Sequence, residues 1–273
     1  MASIIDFTNP EAVQWWKGRL ENLRTNYGID SFKFDAGESN WLPSSLILNS
    51  SIPKSMWPAA FTSAYVDTVS TFGSMIEVRV GRRTQNYPIF VRMLDKDSHW
   101  GFDNGIKTLV TTLLQMSMVG RSKLVHTSNV SKIVFKMRLL ILYSESSFFS
   151  NFYNRIFFLI IFPGYPFVLP DMIGGNGYGD DPLDESTIPS KEMYIRWLQA
   201  NVFMPGMQFS FVPWLYDQDV INHTKDMISL REEYADLMVQ LFQQTVETGE
   251  PVNRPIWWLD PYDEISFGIE DGN

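Results

Sequence analysis

Charged residues stand at the ends of short apolar runs in this chain. Asp35 follows the run 31–34, Arg79 sits within 75–80, Asp95 follows 89–94, and Asp171 follows 166–169. Carboxylates with a guanidinium nearby can serve as nucleophile, general acid or general base. The composition narrows the alternatives. With no cysteine in 273 residues, thiol catalysis, disulfides and cysteine-ligated zinc are excluded. The three histidines, His99, His126 and His223, have no metal-ligand spacing, which speaks against a histidine zinc site or a Ser-His-Asp triad. A formal charge of −9 argues against a nucleic-acid groove or an anionic membrane surface as main partner. Any one acid after a strand can merely cap the next helix or close a turn. Charged groups at four successive strand ends read better as one site built on carboxylates.

Those residues need elements to position them. Asn9 followed by Pro10 and Glu11 reads as a helix start, and Val13, Trp16, Leu20, Leu23 and Tyr27 recur at helical spacing until Gly28 stops the run. A strand is expected over 31–34, ending in Asp35. A helix over 56–71 then leads to a strand over 75–80, and another strand over 89–94 ends in Asp95. Asn104 reads as the cap of a helix over 105–118. Further on, 166–169 reads as a buried strand, 191–201 as a helix, 207–211 as strand-like, and 224–246 as one long amphipathic helix. Alternating helices and short apolar strands indicate an α/β fold with a parallel sheet, whose functional groups gather at the strands' C-terminal ends.

Residues 121–163 break this pattern. They hold six basic residues against the single acid Glu145, a net +5 that leaves −14 on the rest of the chain. The segment has no Ala and no Asp, and it carries seven of the twenty phenylalanines. Its Phe, Ile, Leu, Ser, Tyr, Asn and Lys vocabulary is that of translated T- and A-rich non-coding DNA. Removing it, with one of Gly120 and Gly164 shared across the junction, joins Gly120 to Tyr165 in a compact helix-to-strand turn. We therefore expect a retained intron at 121–163, between a segment 1–120 and a segment 164–273. A lineage-specific loop or a membrane-seeking hairpin are the alternatives, although the apolar stretch 155–162 is too short to span a bilayer.

Other features carry less chemistry. Trp41, Trp100 and Trp214 could offer ring faces to a ligand, against the plainer reading that each packs in the core. The glycine-rich stretch 174–179 lacks a following helix in register for phosphate and reads as a rim loop. Asp180, Asp181, Asp184 and Glu185 read as a solvated loop rather than a calcium site. No cofactor motif is found, and no metal site is expected.

Four ordered motifs resemble those of glycoside hydrolase family 31. They are Phe32, Lys33, Phe34, Asp35, Ala36, Gly37, Glu38; Arg79 sixteen residues before Asp95, with Trp100 following; Pro170, Asp171, Met172, Ile173, Gly174, Gly175, Asn176; and the run from Tyr194 to Ala200, continued by Phe203, Met204, Pro205, Gly206 and on to Ser210. Their wording is most similar to the myogenesis-regulating branch of that family. The resemblance implies a partial (β/α)8 barrel, from about the fourth to the eighth βα unit, and retaining hydrolysis of an α-linked glycan or glycoside. It implies that Asp35 is the nucleophile and that Asp95 is the general acid and then base. Asp97 and Asp103 remain competing candidates for that acid. Arg79 would hold the sugar, Asp171 would bind sugar hydroxyls, Glu38 would sit beside the nucleophile, and Trp41 and Trp100 would flank the sugar. Where α-glucosidases of the family carry a histidine after the Phe-x-Pro strand, this chain has Ser210. That departure points away from glucose and fits α-galactoside hydrolysis.

The first six residues show neither a basic region nor an apolar core of a signal peptide, and no apolar run is long enough to span a membrane. Both ends read as cut rather than finished. The resemblance suggests a secretory-pathway protein. An open partial barrel would expose sheet edges, so poor solubility and little activity of the isolated chain are expected.

Overall fold

The computed structural model describes residues 4–49, 51–117, 164–177 and 187–268, divided into two units, Met1–Arg92 and Met93–Asn273. The 121–163 segment, the acidic stretch Asp180, Asp181, Asp184 and Glu185, and His126 lie outside the described residues.

In the first unit, α1 (Pro10–Tyr27) forms as its ends dictate. The Asn9 side chain accepts the Glu11 N–H, and Gly28 closes the helix at φ 65° with its N–H on the Arg24 carbonyl. No α1 residue is fully buried, and the expected apolar face is seated mainly through Trp16, whose ring lies 5.8 Å from Phe34 and 6.4 Å from Phe72. Tyr27, at 76% exposure, does not join that face. A 3-10 turn, Lys54–Met56, leads into α2 (Trp57–Ser70), which buries Phe61, Tyr65, Val66 and Val69 at helical spacing.

Three strands make this unit's sheet: β1 (Lys33–Phe34), β2 (Glu77–Val78) and β3 (Phe90–Arg92). They run parallel, with Lys33 opposite Glu77, Phe34 opposite Val78, and Val78 opposite Val91. Val78 and Val91 are buried, as expected for parallel strands covered on both faces. The expected strands 31–34, 75–80 and 89–94 are present but shorter.

In the second unit a 3-10 turn, Ile106–Thr108, precedes α3 (Leu109–Ser117), which buries Leu109, Leu113 and Ser117, one per turn. Asn104 does not cap this helix. Gly105 occupies the cap position, and the Asn104 amide is used on Asp95 and Asp97 instead. The strand β4 (Val168–Leu169) is fully buried, and the Leu169 carbonyl accepts the Met93 N–H. α4 (Lys191–Asn201) has the expected limits, with Ser190 as its cap. The strand expected over 207–211 is reduced to a single parallel bridge between Ile173 and Phe209.

The helix expected over 224–246 is two helices, α5 (Gln218–Glu233) and α6 (Ala235–Thr248), divided at Tyr234. Asp217 starts α5 earlier than the apolar periodicity indicates, because its carboxylate accepts the Val220 N–H. Near the break, the Arg231 guanidinium donates to the carbonyls of Val202, Met204 and Pro205, pinning the segment after α4. Two short helices follow, α7 (Ile256–Leu259) and α8 (Glu264–Gly268). Among the described residues no helix is long and apolar enough to cross a membrane.

Candidate active site

Asp35 leaves the C-terminal end of β1 with its side chain 56% exposed. Two guanidinium groups face the same carboxylate oxygen: Arg79 Nη1 at 3.3 Å from Oδ1 and Arg92 Nη2 at 3.5 Å. Each arginine has a second anchor. Arg79 Nε donates to Glu38 Oε1 at 2.6 Å, and Arg92 Nε donates to Glu77 Oε1 at 3.1 Å. Lys33 Nζ lies 3.5 Å from the same Glu77 oxygen. The parallel register explains this cluster, since Lys33 and Glu77 are paired across β1 and β2. Three carboxylates and three cations thus alternate beneath the strand ends. Arg92 is 2% exposed and Arg79 and Glu38 are each 15% exposed, so Asp35 is the carboxylate of the cluster that reaches solvent, as Lys33 does among the cations.

The turn beyond Asp35 is left-handed at both Ala36 (φ 59°) and Gly37 (φ 95°). The Ala36 N–H donates to the Asp35 carboxylate, and the Tyr65 hydroxyl donates to the Asp35 carbonyl at 2.8 Å. The Tyr65 phenol is pushed well above its ordinary value of 10.0, first by burial and then by the negative charges of Asp35 and Glu38, against an opposing pull from Arg79.

The second unit holds a separate network. Asp95 is half-buried, and its carbonyl accepts the Asn104 amide at 2.8 Å. The same amide donates to Asp97 Oδ2 at 3.2 Å. His99 Nδ1 accepts the Gly101 N–H, while its Nε2 stands 3.8 Å from Asp97 and 3.7 Å from Asp103. Lys96 points inward and donates from Nζ to Thr108 and Thr112 at 2.9 Å and to Asn104 at 3.4 Å. Burial holds this ammonium below its ordinary 10.5, with Asp171 and Asp97 pulling the other way.

Asp171 and Ser210 are both engaged within the fold. Asp171 is 0% exposed, and its carboxylate accepts the Lys96 backbone N–H at 2.6 Å and the Asn176 amide at 3.3 Å. These bonds brace the loop after Asp95. The Ser210 hydroxyl is also committed to backbone, donating toward the Ile173 and Gly175 carbonyls at 3.0 and 2.6 Å. Trp41, Trp100 and Trp214 are exposed at 68%, 38% and 70%, so none is a buried core ring.

Asp35, Glu38 and Arg79, singled out from sequence, meet in one cluster. Sequence reasoning missed Arg92, Tyr65 and Lys96. Arg92 had a visible signal, a charge inside the apolar run 89–94, where only a buried partner makes it tolerable. Tyr65 had none, because its periodicity reads as ordinary helix core. Among the described residues no cluster of His, Asp or Glu is arranged to hold a metal.

Residues 1–118 match the family model described as the Glycosyl hydrolases family 31 TIM-barrel domain. The chain is similar to the myogenesis-regulating glycosidase of Mus musculus, 34% identical over 99% of this chain and 32% of that protein. It is also similar to the SITS-binding protein of Tetronarce californica, 22% identical over 98% of this chain and 31% of that protein. The chain therefore spans about a third of the length of these relatives. Among solved structures, a family 31 sulfoquinovosidase from E. rectale, in complex with an aza-sugar inhibitor, superposes with a TM-score of 0.68 at 18% identity. That superposition covers 98% of this chain and 35% of that one, and establishes the likeness of fold. Parallel strands alternating with helices, charged groups at their C-terminal ends and the family match agree: the chain belongs to glycoside hydrolase family 31 and carries part of its TIM-barrel domain.

Proposed function

We propose that this protein is a retaining α-glycoside hydrolase, with Asp35 as nucleophile and Asp95 as acid and base. The observation that carries this reading is the exposed Asp35 carboxylate at a strand end, seated on two shielded guanidinium groups. An oxygen of Asp35 attacks the anomeric carbon as the glycosidic C–O bond breaks, and the leaving oxygen takes the proton of Asp95. Asp95 then removes a proton from water, whose oxygen displaces Asp35 and frees the sugar. Such a double displacement needs the two carboxyl groups about 5 to 5.5 Å apart. Arg79 braces Asp35 and Glu38, and Trp41 and Trp100 offer exposed faces for a pyranose ring.

For the sugar, we propose an α-galactoside, on the absence of the glucosidase histidine at Ser210 and the likeness to the myogenesis-regulating branch. α-Glucosides are the competing class, and the sulfoquinovosidase neighbour adds sulfoquinovosides. The test is turnover of aryl α-galactosides, α-glucosides and α-sulfoquinovosides by the full-length protein without residues 121–163, beside its Asp35→Asn form. Equal rates from both proteins would remove Asp35 from the mechanism. A non-catalytic, glycan-binding role is the second reading, favoured by a relative whose name records binding, the SITS-binding protein. Binding of α-glycosides without turnover would select it.

We also propose that residues 121–163 are a retained intron. The segment's net charge of +5 and its lack of Ala and Asp support this reading. Sequencing of the mature messenger across codons 120 to 165 tests it, and a spliced message that still encodes the segment would end it.

A further inference from the structure

The backbone that presents Asp35 takes a course that L-residues avoid, because a left-handed turn brings Cβ against the following carbonyl oxygen. Ala36 adopts it at φ 59° although it is not glycine, and Gly37 follows at 95°. Such a turn persists where the surroundings over-determine it. Here the surroundings are one face of α2. Thr62 and Tyr65, three residues apart on that helix, each hold one carbonyl of the turn: Thr62 Oγ1 donates to Gly37 at 2.9 Å and Tyr65 Oη donates to Asp35 at 2.8 Å. The Tyr65 ring also packs against Gly37, where an added Cβ would lie 2.5 Å from Cδ1. Tyr65 is 5% exposed and its ring centroid stands 5.0 Å from that of Phe7, so the hydroxyl is delivered from a packed ring.

We propose that Tyr65 is a positioning residue for Asp35: its hydroxyl and ring lock the left-handed Ala36 and Gly37 turn and thereby aim the carboxylate that Arg79 and Arg92 hold. This rests on Asp35 being the nucleophile, as proposed above. The Tyr65 hydroxyl bonds to a backbone carbonyl, so it acts through Asp35 and not on the sugar. Its hydroxyl must stay protonated to donate, and the burial that raises its pKa is consistent with that.

The experiment uses the full-length protein, Tyr65→Phe and Thr62→Val, each corrected for its folded fraction by circular dichroism. Covalent labelling of Asp35 by an activated 2-deoxy-2-fluoro-α-glycoside, followed by mass spectrometry, reads the attack step. We expect Tyr65→Phe to slow labelling by about tenfold or more, with half-saturation unchanged, since small displacements of a reacting group have effects of that size. Thr62→Val should act in the same direction, and Thr62→Ser should restore the parent rate. Parent-like labelling by folded Tyr65→Phe would overturn the proposal while leaving Asp35 as nucleophile. If the parent itself is never labelled, the nucleophile reading fails, and crystal structures of parent and Tyr65→Phe decide the remaining point. A displaced Asp35 carboxylate supports the lock, and an unmoved turn overturns it.

Discussion

Arg92 Nη2 stands 3.5 Å from the Asp35 carboxylate while its own side chain is 2% exposed. An almost fully buried guanidinium therefore supports a carboxylate that is open to solvent. Its other partner, Glu77, is nearly as shielded, at 11%. The pair ties the candidate active site directly to the sheet's stability.

Arg92→Met should be costly for that reason. Removing one partner of a buried ion pair costs about 3–5 kcal/mol, and here the half-exposed Lys33, which still faces Glu77, offsets only part of it. Lys33→Ala, which removes a 42% exposed partner of the same Glu77, should cost at most about 1 kcal/mol. Urea unfolding of the two variants checks the contrast. Equal small losses would show that Glu77 and Arg92 are not coupled, and the double variant Glu77→Gln/Arg92→Met should recover part of the larger loss.

Asp95→Asn should retain attack on an activated aryl α-glycoside but stall at breakdown of the glycosyl-enzyme, because no base remains to activate water. Azide needs no general base, so it should restore turnover as a glycosyl azide. Comparison with Asp97→Asn and Asp103→Asn settles the assignment. Azide rescue in either of those, and not in Asp95→Asn, moves the acid to that residue.

Alkaline conditions should unfold the protein through its buried phenols. Tyr65, Tyr194 and Tyr216 are all raised above their ordinary 10.0, chiefly by burial. Above that value the unfolded chain releases protons that the folded chain keeps, so stability falls as pH rises. Below it their contribution is fully present. The urea midpoint should fall progressively once the pH passes about 10, and tyrosinate absorbance should grow in step with unfolding. Tyrosinate that forms ahead of unfolding would contradict the burial argument.

Two glycines with similar backbone should respond differently to alanine. Gly28, at φ 65°, has open space where a Cβ would go, so Gly28→Ala should cost about 1 kcal/mol of backbone strain alone. At Gly175, φ 71°, a Cβ would sit 2.5 Å from Trp197 and 2.9 Å from the Lys96 carbonyl. Strain and overpacking together predict about 2–4 kcal/mol for Gly175→Ala. Thermal melts of both variants test the difference.

Local chemistry made much of the fold legible before any coordinates. Asn9, Pro10 and Gly28 bound α1, and Ser190 starts α4 at Lys191, because caps and stops act within a few residues. The ordered motifs around Asp35, Asp95 and Asp171 pointed to the family that the comparisons bear out. Where a long-range partner decides, sequence was silent or misleading. Asn104 reads as a helix cap, yet its amide is taken by Asp95 and Asp97. Nothing local signals that the buried Asp171 carboxylate accepts the Lys96 N–H, 75 residues away in the chain. One apolar periodicity suggested a single helix where Tyr234 divides two. Residue types and spacing thus placed carboxylates at the strand ends of a parallel α/β frame. Which carboxylate faces solvent, and that Arg92 and Tyr65 stand behind it, was decided only when strand register and helix packing brought distant residues within hydrogen-bonding reach.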